Sequence, residues 1–461
     1  MATIDYIIII VYLAVLIAVG LTRRSGRTES ATGFILGGRT LTLPAFVATL
    51  VSTWYGGILG VGEYSFRFGI SNWLVFGLPY YMAALLFALF LAKKARRAKV
   101  LTIPDQLEAT YGRPTAIAGS AILFLTTIPS AYVLMLAVLA KHLFGWPLWL
   151  GALLGVLFSL FYVHLGGFRS VVRTDLLQFG LMFVGFGVLL IMLFNRYGGY
   201  EFIASAVPDT HLTWHGGNSG WYIATWYFIA LATLTEPAFY QRCYAARTES
   251  TARNGIFISI LCWMAFDFMT TSCGLYARAL LPDLAEPISS YPALAEMILP
   301  AGLLGLFALS LLATIMSTVD SYSFLAASTF GRDIIWRLGR IPDREITLYT
   351  RIGLFISAAI ALILALYFES VIDIWHDFGS VATPALLVPL FFAFNGRRRM
   401  PPATALACIL SSGGISLLWL LSEHWTVSGG YCLGIGPIFP GLAVSVLFQV
   451  FGSRPQKEIV Y

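Results

Sequence analysis

Residues 303–331 combine an apolar run with a high density of hydroxyl groups. The run is long enough to span a bilayer, which takes about 20 residues. Its spacing i, i+3, i+4, i+7 places four hydroxyl residues on one face of a helix: Thr314, Ser317, Thr318 and Ser321. Asp320 lies at the edge of this hydroxyl stripe. A carboxylate at membrane depth is costly unless it is paired or faces a cavity, so this face is a candidate functional site.

The hydroxyl stripe permits two interpretations. Hydroxyl and carboxylate oxygens are hard ligands of the kind that small hard cations prefer, which indicates a cation site. Serine and threonine side chains also join transmembrane helices by hydrogen bonds, and for any single hydroxyl that structural role is the commoner one. The complete stripe with an acid beside it favours the cation site.

The second apolar segment, residues 43–68, is predicted to break in the middle of the membrane. It contains Ser52 and Thr53 followed by the pair Gly56–Gly57. Adjacent glycines weaken a helix, and unwound backbone at membrane depth is tolerated where it is buried or lines a cavity. Discontinuous helices of secondary transporters use such freed carbonyls to hold ions and substrates. A close helix–helix contact through small residues explains the glycines equally well from this segment alone.

Further acids lie within apolar segments. Asp175 is about one turn inside the sixth segment, where it has either a functional role or an interfacial ion pair with Arg169 or Arg173. Glu236 is followed by Pro237, which removes a backbone donor and breaks or kinks the seventh segment. No role is assigned to the remaining acids of this kind, Asp267, Asp373 and Asp377.

The composition identifies the class of protein. Of the 461 residues, 58% are hydrophobic and 11% are charged, with a mean hydropathy of +0.80. Because soluble domains carry about 25% charged residues, we expect an all-α, polytopic integral membrane protein. Thirteen spans are predicted, at residues 4–22, 43–68, 72–92, 115–140, 146–163, 172–194, 220–244, 254–280, 302–330, 351–367, 370–395, 401–421 and 432–451.

The basic residues predict the orientation of these spans. With the N-terminus outside, the cytoplasmic loops hold every lysine and arginine except Arg67, Lys141, Arg196 and Arg278. The positive-inside rule therefore predicts an extracellular N-terminus, a cytoplasmic C-terminus and a multi-pass location in the lipid bilayer of the plasma membrane, the inner membrane of a bacterial cell. The same distribution explains the net charge of +6 without a nucleic-acid partner. The longest outer segments, 195–219 and 281–301, are expected to carry short helices over an outer vestibule.

Three stretches together resemble the sodium/solute symporter family. GGFRSVVRTDLLQ resembles the family signature G-G-x-x-A-V-x-x-T-D-x-x-Q, and EPAFYQRCYAARTESTARNG resembles its Q-R-x-x-A-A-(K/R) loop. ALSLLATIMSTVDSYSFLAASTFGRD resembles the ion-binding helix, with its M-S-T-x-x-S core. The second segment, GGRTLTLPAFVATLVSTWYGGILG, is also similar to the first core helix, although its glycine-rich part is shorter than in many members. Thirteen spans suit the proline- and sialate-type branch of the family.

The resemblance implies the leucine-transporter fold, a five-plus-five inverted repeat within a single membrane transport domain at residues 1–461. An extra N-terminal helix at 4–22 precedes the first repeat at 43–194. The second repeat at 220–395 is followed by two C-terminal helices at 401–451. The first helix of each repeat would be broken, at the two places where Gly56–Gly57 and Glu236–Pro237 independently indicate breaks.

The resemblance also implies where sodium binds. The family's shared sodium site matches the carbonyls of Ser52 and Tyr55, together with Thr314, Ser317 and Thr318. Thr314 would bind through its carbonyl or its hydroxyl. Some members hold a second sodium ion nearer the cytoplasm, and the matching residues are Asp175, Thr318, Asp320 and Ser321. Asp320 stands where the family usually has Ser or Thr, and whether one or two sodium ions move per cycle stays open.

The function implied is secondary active transport: sodium-coupled symport of a small polar organic solute into the cell by alternating access. No enzyme activity is expected, no metal other than sodium, no cofactor beyond this coupling ion, and the monomer is expected to be functional. One rival is a proton-coupled symporter that titrates Asp175, Glu236 or Asp320. The other rival is a solute sensor of the same fold that binds without transporting.

The candidate substrate contacts lie mainly near the two predicted breaks. They are Trp54, Gly56, Gly57, Tyr80, Tyr81, Tyr132, Thr233 and Glu236. No span has an arginine at mid-depth that would favour an acidic solute. The carboxylate of Glu236 favours a cationic, zwitterionic or polyhydroxyl solute over a simple anion.

Overall fold

A computed structural model describes residues 1–21, 30–339, 341–368, 370–426 and 430–455, and these are almost wholly helical. The α-helices, in chain order, are α1 (Thr3–Leu21), α2 (Ala31–Leu36), α3 (Leu43–Trp54), α4 (Ile58–Phe68), α5 (Leu78–Phe90), α6 (Ala92–Ala98), α7 (Ile103–Tyr111), α8 (Arg113–Thr127), α9 (Ser130–Phe144), α10 (Leu148–Tyr197), α11 (Tyr200–Ala206), α12 (Gly220–Ile229), α13 (Pro237–Ala245), α14 (Glu249–Leu280), α15 (Ser290–Ile298), α16 (Leu303–Ser328), α17 (Trp336–Gly339), α18 (Ile346–Tyr367), α19 (Val371–Asn395), α20 (Pro402–Leu421) and α21 (Ile438–Gly452).

Shorter elements join or interrupt these helices. The 3₁₀ turns are Tyr55–Gly57, Asp209–Leu212, Ala230–Thr235, Pro287–Ser289, Asp343–Glu345, Ser422–His424 and Cys432–Gly434, and the π turns are Trp73–Gly77 and Thr329–Ile335. Two strands, β1 (Arg398–Arg399) and β2 (Arg454–Pro455), pair antiparallel beside the C-terminal helices.

The predicted all-α membrane architecture is confirmed. Among the described residues, ten helical segments are long and apolar enough to cross a membrane. Two shorter apolar helices, Leu148–His164 and Ile438–Gly452, fall on the predicted spans at 146–163 and 432–451. The remaining predicted span, 220–244, is the interrupted pair α12 and α13. Each predicted span thus contains helix, while the count of thirteen spans and the division into two repeats stay predictions.

Both predicted breaks are present. The first separates α3 from α4 by the 3₁₀ turn Tyr55–Gly57, which the paired glycines permit. The second separates α12 from α13 by a 3₁₀ turn and by Glu236, whose extended backbone (φ −70°, ψ 114°) precedes Pro237. A residue before proline is disfavoured in helical conformation, so this break follows directly from the dipeptide.

Two boundaries differ from the prediction. The fourth predicted span, 115–140, is two helices, because α8 ends at Thr127 and α9 begins at Ser130 after Pro129. The fifth and sixth spans are not separated by a loop, since α10 runs through both with one bend at Gly167 (φ +58°). A Cβ atom at Gly167 would lie 2.7 Å from the Phe34 ring, so the bend needs glycine for space as well as for conformation.

The two long outer segments carry the expected short helices, α11 and a 3₁₀ turn in the first and α15 in the second. His211, in the first segment, is buried with its Nε2 3.0 Å from the Phe66 carbonyl, and this burial lowers the pKa of the imidazole. On the side predicted to be cytoplasmic, α2, α6 and α7 were not anticipated, because each is too short to give a spanning signal.

The hydroxyl-rich helix α16 lies at the centre of the fold. It packs against α1, α3, α8, α9, α10 and α18, and nearly every residue from Leu304 to Ser328 is buried. Because buried polar groups need hydrogen-bond partners, the helices around α16 must supply them.

Candidate functional site: a cation site beside an aromatic cavity

The hydroxyls of α16 reach the backbone of the first break. Ser317 Oγ donates to the Ser52 carbonyl at 2.9 Å, and Thr318 Oγ1 donates to the Thr53 carbonyl at 2.8 Å. Thr318 Oγ1 also lies 3.4 Å from the Ser52 carbonyl. We call this contact, formed by Ser52, Thr53, Thr314, Ser317 and Thr318, the hydroxyl–carbonyl junction. All five residues are at most 1% exposed.

Thr314 takes part in the junction through its carbonyl. That carbonyl accepts from Ser317 Oγ at 2.8 Å, whereas the Thr314 hydroxyl is directed along its own helix to the Ser310 carbonyl at 2.7 Å. Tyr55, whose carbonyl is also a predicted ligand, opens the 3₁₀ turn that follows α3. Uncharged oxygens from two helices thus converge at one point, with no lysine or arginine among the junction residues. Such a set suits a small hard cation that replaces the hydroxyl-to-carbonyl bonds.

Gly56 makes this close approach possible. A Cβ atom at Gly56 would lie 2.1 Å from Thr318 Oγ1 and 2.2 Å from Thr318 Cβ, distances that no packed side chain tolerates. The glycine pair therefore has both roles considered from the sequence: it breaks the helix, and it permits a close helix–helix contact.

One turn further along α16 the environment is different. Arg242 of α13 is fully buried, and its Nη2 lies within 3.1 Å of three hydroxyls, those of Thr49, Thr53 and Ser321. Asp175 Oδ2 lies 3.7 Å from the same nitrogen and accepts a hydrogen bond from Thr49. We call this group, with Arg242 at its centre, the guanidinium site. A resident cation here already contacts the oxygens that would otherwise surround a metal ion.

Asp320 belongs to a third group. Its two carboxylate oxygens accept from Ser159 and Tyr162 on α10, so it fastens α16 to that helix. Nearby, Gln178 donates to Tyr12 of α1 at 3.2 Å. Fully buried with both oxygens bonded, Asp320 fulfils the structural role that a buried carboxylate takes when hydroxyl donors surround it.

The residues predicted for a second sodium site therefore belong to three hydrogen-bonded groups, of which the first two share Thr53. Thr318 is in the hydroxyl–carbonyl junction, Ser321 and Asp175 are in the guanidinium site, and Asp320 bonds to α10. The expectation that Asp175 and Asp320 form one pair around a shared cation stays a prediction, and in this structure the two carboxylates hydrogen-bond to different partners. Arg242, a residue of the Q-R loop resemblance with no predicted role, lies beside Asp175.

A large cavity lies beside both breaks. Its empty volume is about 1400 Å³ with the part open to solvent included, and it is lined by residues of both interrupted helices and of α5, α8, α9, α14, α16 and α19. Six of the predicted substrate contacts are on its wall: Trp54, Gly57, Tyr80, Tyr81, Tyr132 and Glu236. Within the described residues the other two lie behind the wall, Gly56 against Thr318 and Thr233 fully buried.

The cavity wall also contains residues that the sequence analysis did not select. Asp267 of α14 accepts hydrogen bonds from the hydroxyls of Tyr55 and Tyr81. Tyr322 of α16 and Trp375 of α19 stand near Tyr132, with ring centroids 5.3 and 6.5 Å from it. Asp267 was visible as an acid in an apolar segment. The aromatic residues gave no distinctive signal, because aromatic side chains are common in every membrane span.

Comparisons with known proteins identify the family of this chain. The Sodium:solute symporter family matches residues 34–410. The osmoregulated proline transporter OpuE of Bacillus subtilis (strain 168) is 25% identical over 94% of this chain and 91% of its own length. The sodium/pantothenate symporter of Escherichia coli (strain K12) is 24% identical over 91% of this chain and 90% of its own length. A match to sodium/glucose cotransporter 4 of Danio rerio, 25% identical, spans 78% of this chain and 62% of the longer relative.

The fold is also that of solved transporters. A Na⁺-coupled sialic acid symporter, in a substrate-bound outward-open state, superposes with a TM-score of 0.80 at 16% identity and covers 98% of this chain and 97% of its own. A nucleobase-cation-symport-1 family transporter superposes with a TM-score of 0.61 at 12% identity and covers 92% of this chain and 94% of its own. With a family match over residues 34–410 and a shared fold along nearly its whole length, the chain belongs to the sodium:solute symporter family, whose members are transporters and not enzymes.

Proposed function

We propose that this transporter couples the uptake of a small polar organic solute to one sodium ion bound at the hydroxyl–carbonyl junction. The observation that carries the proposal is the contact of Ser317 and Thr318 with the carbonyls of Ser52 and Thr53. In this account the ligands are the carbonyls of Ser52, Tyr55 and Thr314 and the hydroxyls of Ser317 and Thr318.

Coupling follows from where the ion binds. A sodium ion at the junction ties the first break to α16, and the same break supplies Trp54, Tyr55 and Gly57 to the cavity wall. Fixing that turn shapes the cavity for solute, so sodium and solute raise each other's affinity by the same factor. Binding outside at high sodium concentration and release inside at low concentration then drive the cycle. The N-terminus lies outside and the C-terminus in the cytoplasm, and one chain in the plasma membrane is the functional unit.

The guanidinium site supports one sodium ion per cycle. A second ion near Asp175 would have to compete with Arg242 for the hydroxyls of Thr49, Thr53 and Ser321. It would also lie close to a buried positive charge, and like charges repel strongly where little water screens them. Arg242 thus takes the place of a second sodium ion, as a cation that is part of the chain and is not released during the cycle.

One observation favours proton coupling as a second candidate. Asp175 Oδ1 is buried without a hydrogen-bond partner, while Oδ2 faces Thr49 and Arg242. A proton on Oδ1 would remove the negative charge from this buried carboxylate. In that mechanism Asp175 would bind the proton from outside and release it to the cytoplasm.

Thermal unfolding of the purified protein at fixed pH separates these candidates. A ligand that binds only the folded state stabilises it by RT ln(1 + [L]/Kd), about 1.4 kcal/mol at ten times Kd. We expect a higher melting temperature in sodium chloride than in potassium chloride, and no such difference for Ser317→Ala. Equal melting curves in both salts, with solute uptake driven by a pH gradient alone, would favour the proton mechanism.

A further inference from the structure

The cavity beside the junction has an unusual balance of charge. Among the described residues that line it, two are acids, Glu236 and Asp267, and none is a lysine, an arginine or a histidine. The two acids come from different helices, since Glu236 lies at the second break and Asp267 in α14. A solute in this cavity therefore meets two carboxylates and no basic side chain.

Neither carboxylate forms an ion pair within the described residues, although Arg242 is near enough to Glu236 for a Coulombic attraction. Asp267 accepts from two tyrosine hydroxyls, which satisfy its oxygens without neutralising the charge. Glu236 accepts from the Ala238 backbone amide at 3.2 Å and so caps α13, and its side chain is only partly buried. The nearest buried cation, Arg242, directs its guanidinium to Thr49, Thr53 and Ser321 instead. Carboxylates that are partly removed from water are stabilised when a cation approaches them, and the solute is able to bring one.

The rest of the wall suits an organic cation. In one aromatic group of the wall the Trp54 ring stands 5.8 Å from Tyr80 and 6.0 Å from Trp263. In a second group the Trp375 ring stands 6.5 Å from Tyr132 and 6.1 Å from Phe76. The faces of such rings attract ammonium groups, and several of them around one volume form the aromatic cage that recognises alkylated ammonium.

The wall offers little to an anionic group. In broken-helix transporters the N-terminus of a half-helix is the usual site for a negative charge, because its amides are unpaired. Here the N-terminus of α13 is already capped by Glu236. At the start of α4 the Trp375 ring covers the backbone, since a Cβ atom on Gly57 would lie 2.2 Å from that ring and one on Gly60 3.2 Å from it.

From these observations we infer that the transported solute is an organic monocation, an amine or alkylated ammonium, held between Glu236 and Asp267 inside the aromatic wall. This inference rests on the proposed sodium symport, because it assigns the substrate class of the same cavity. The sodium ion and the ammonium group occupy separate places, the junction behind Gly56 and the cavity in front of Gly57. Both acids face the solute, so each strengthens its binding.

Matched pairs of probes test the inference on the full-length protein in sodium chloride. Choline is paired with its uncharged isostere 3,3-dimethylbutan-1-ol and with the zwitterion glycine betaine, and ethanolamine is paired with ethylene glycol. We expect melting-temperature increases from choline or ethanolamine that exceed those from every uncharged or zwitterionic partner. The inference is overturned if neither cationic probe raises the melting temperature, or if an uncharged or zwitterionic partner raises it as much.

Substitutions of Glu236 and Asp267 test whether these carboxylates bind the cationic probe. Glu236→Gln retains an oxygen to cap α13. Asp267→Asn retains an acceptor for one tyrosine hydroxyl, and its amide group is able to donate to the other, so both variants are expected to fold. Each should weaken binding of the effective cationic probe at least about tenfold. Glu249→Gln removes one negative charge at a surface pair with Arg97, and it should leave that affinity unchanged. Unchanged affinity in both cavity variants would contradict the assignment.

Sodium dependence tests the substrate class and the sodium coupling separately. If the substrate class is wrong but the symport is right, the protein is stabilised by sodium and Ser317→Ala abolishes that effect, while the cationic probes do nothing. If the symport is wrong, the cationic probes still bind, but with the same affinity in sodium and in potassium.

Discussion

At Ser317 and Thr318 the hydroxyls of α16 donate to backbone carbonyls of α3, whereas at Ser321, one turn along the same face, the hydroxyl accepts from Arg242. Both regions present serine or threonine hydroxyls on the same face of α16. In the hydroxyl–carbonyl junction Arg242 contacts the Thr53 hydroxyl, but the Ser317 and Thr318 hydroxyls face backbone carbonyls, which leaves these oxygens available to an incoming cation. In the guanidinium site the cation is part of the chain. In the proposed mechanism the two stretches of one polar stripe therefore have different tasks, ion binding and permanent structure.

This difference depends on what each neighbouring helix brings to the stripe. The end of α3 brings backbone carbonyl oxygens, of the kind that bind cations, whereas α13 brings a guanidinium, which is itself a cation. A polar stripe on a membrane helix is therefore not a site by itself. Its function is decided by the charge of the group packed against it.

The largest effect is expected from Arg242→Met, which removes the resident cation. The substitution leaves Asp175 buried without a positive partner and deprives three hydroxyls of a donor. Removing one member of a buried ion pair costs about 3–5 kcal/mol, so the folded protein should be recovered poorly and melt at lower temperature.

Two further variants show whether the lost stability comes from the buried charge. Arg97→Met breaks a half-exposed surface pair with Glu249 and should cost less than about 1 kcal/mol. Adding Asp175→Asn to Arg242→Met removes the stranded charge and should restore part of the melting temperature. A single variant Arg242→Met as stable as the parent protein would remove the guanidinium site from this account.

The next largest effect is expected from Gly56→Ala, which pushes the first break away from α16. The added Cβ atom would lie 2.1 Å from Thr318 Oγ1, and overpacking of this kind costs about 1–3 kcal/mol. We expect a lower melting temperature and also a loss of the stabilisation by sodium. Gly180→Ala on α10 is the control, because a Cβ atom there would meet nothing within 4 Å. Gly56→Ala with an unchanged response to sodium would argue against the junction as the ion site.

Ser317→Ala should have a smaller effect on stability and a selective effect on sodium. It removes one oxygen ligand and one hydrogen bond, worth about 1 kcal/mol, and creates no clash. The stabilisation by sodium should fall below detection at the concentrations that stabilise the parent protein, which requires a loss of affinity of at least about tenfold, the equivalent of about 1.4 kcal/mol. Ser310→Ala, two turns earlier on the same helix, removes a hydroxyl bonded only to its own helix, and its sodium response should match that of the parent.

The smallest effect is expected from Asp320→Asn. The amide keeps an acceptor for one of Ser159 and Tyr162, and the other hydroxyl is able to accept from the new amide group. Stability should therefore change by about 1 kcal/mol or less, with the number of bound sodium ions unaltered. Fewer bound sodium ions in this variant would restore Asp320 as an ion ligand.

Much of the fold could be predicted from the sequence, because long apolar runs, paired glycines and Glu236–Pro237 are local signals. The breaks lie at the predicted residues. The division of α8 from α9 was missed, since Pro129 stands in an apolar run that reads as one helix. The continuity of α10 was missed as well, because the sequence does not reveal that Gly167 turns the chain without a loop.

The candidate site could be predicted only in part, because it depends on tertiary contacts between residues that are far apart in the sequence. The stripe on α16 was evident, but Arg242 comes from a segment more than 70 residues away along the chain and carried only a family-loop resemblance. Asp267 was seen as an acid without a partner. Its place on the cavity wall depends on how α14 packs beside the first break, and Tyr55 and Tyr81 reach it only in the folded protein.

The number of sodium ions bound by the purified protein tests the central comparison most directly. Equilibrium binding of radioactive ²²Na⁺ to detergent-solubilised protein gives this number without knowledge of the solute. We expect one ion per chain, lost in Ser317→Ala and retained in Asp320→Asn. Two ions per chain in the parent protein, with one lost on substitution of Asp175 or Asp320, would contradict the account by showing that Arg242 does not replace a second sodium ion.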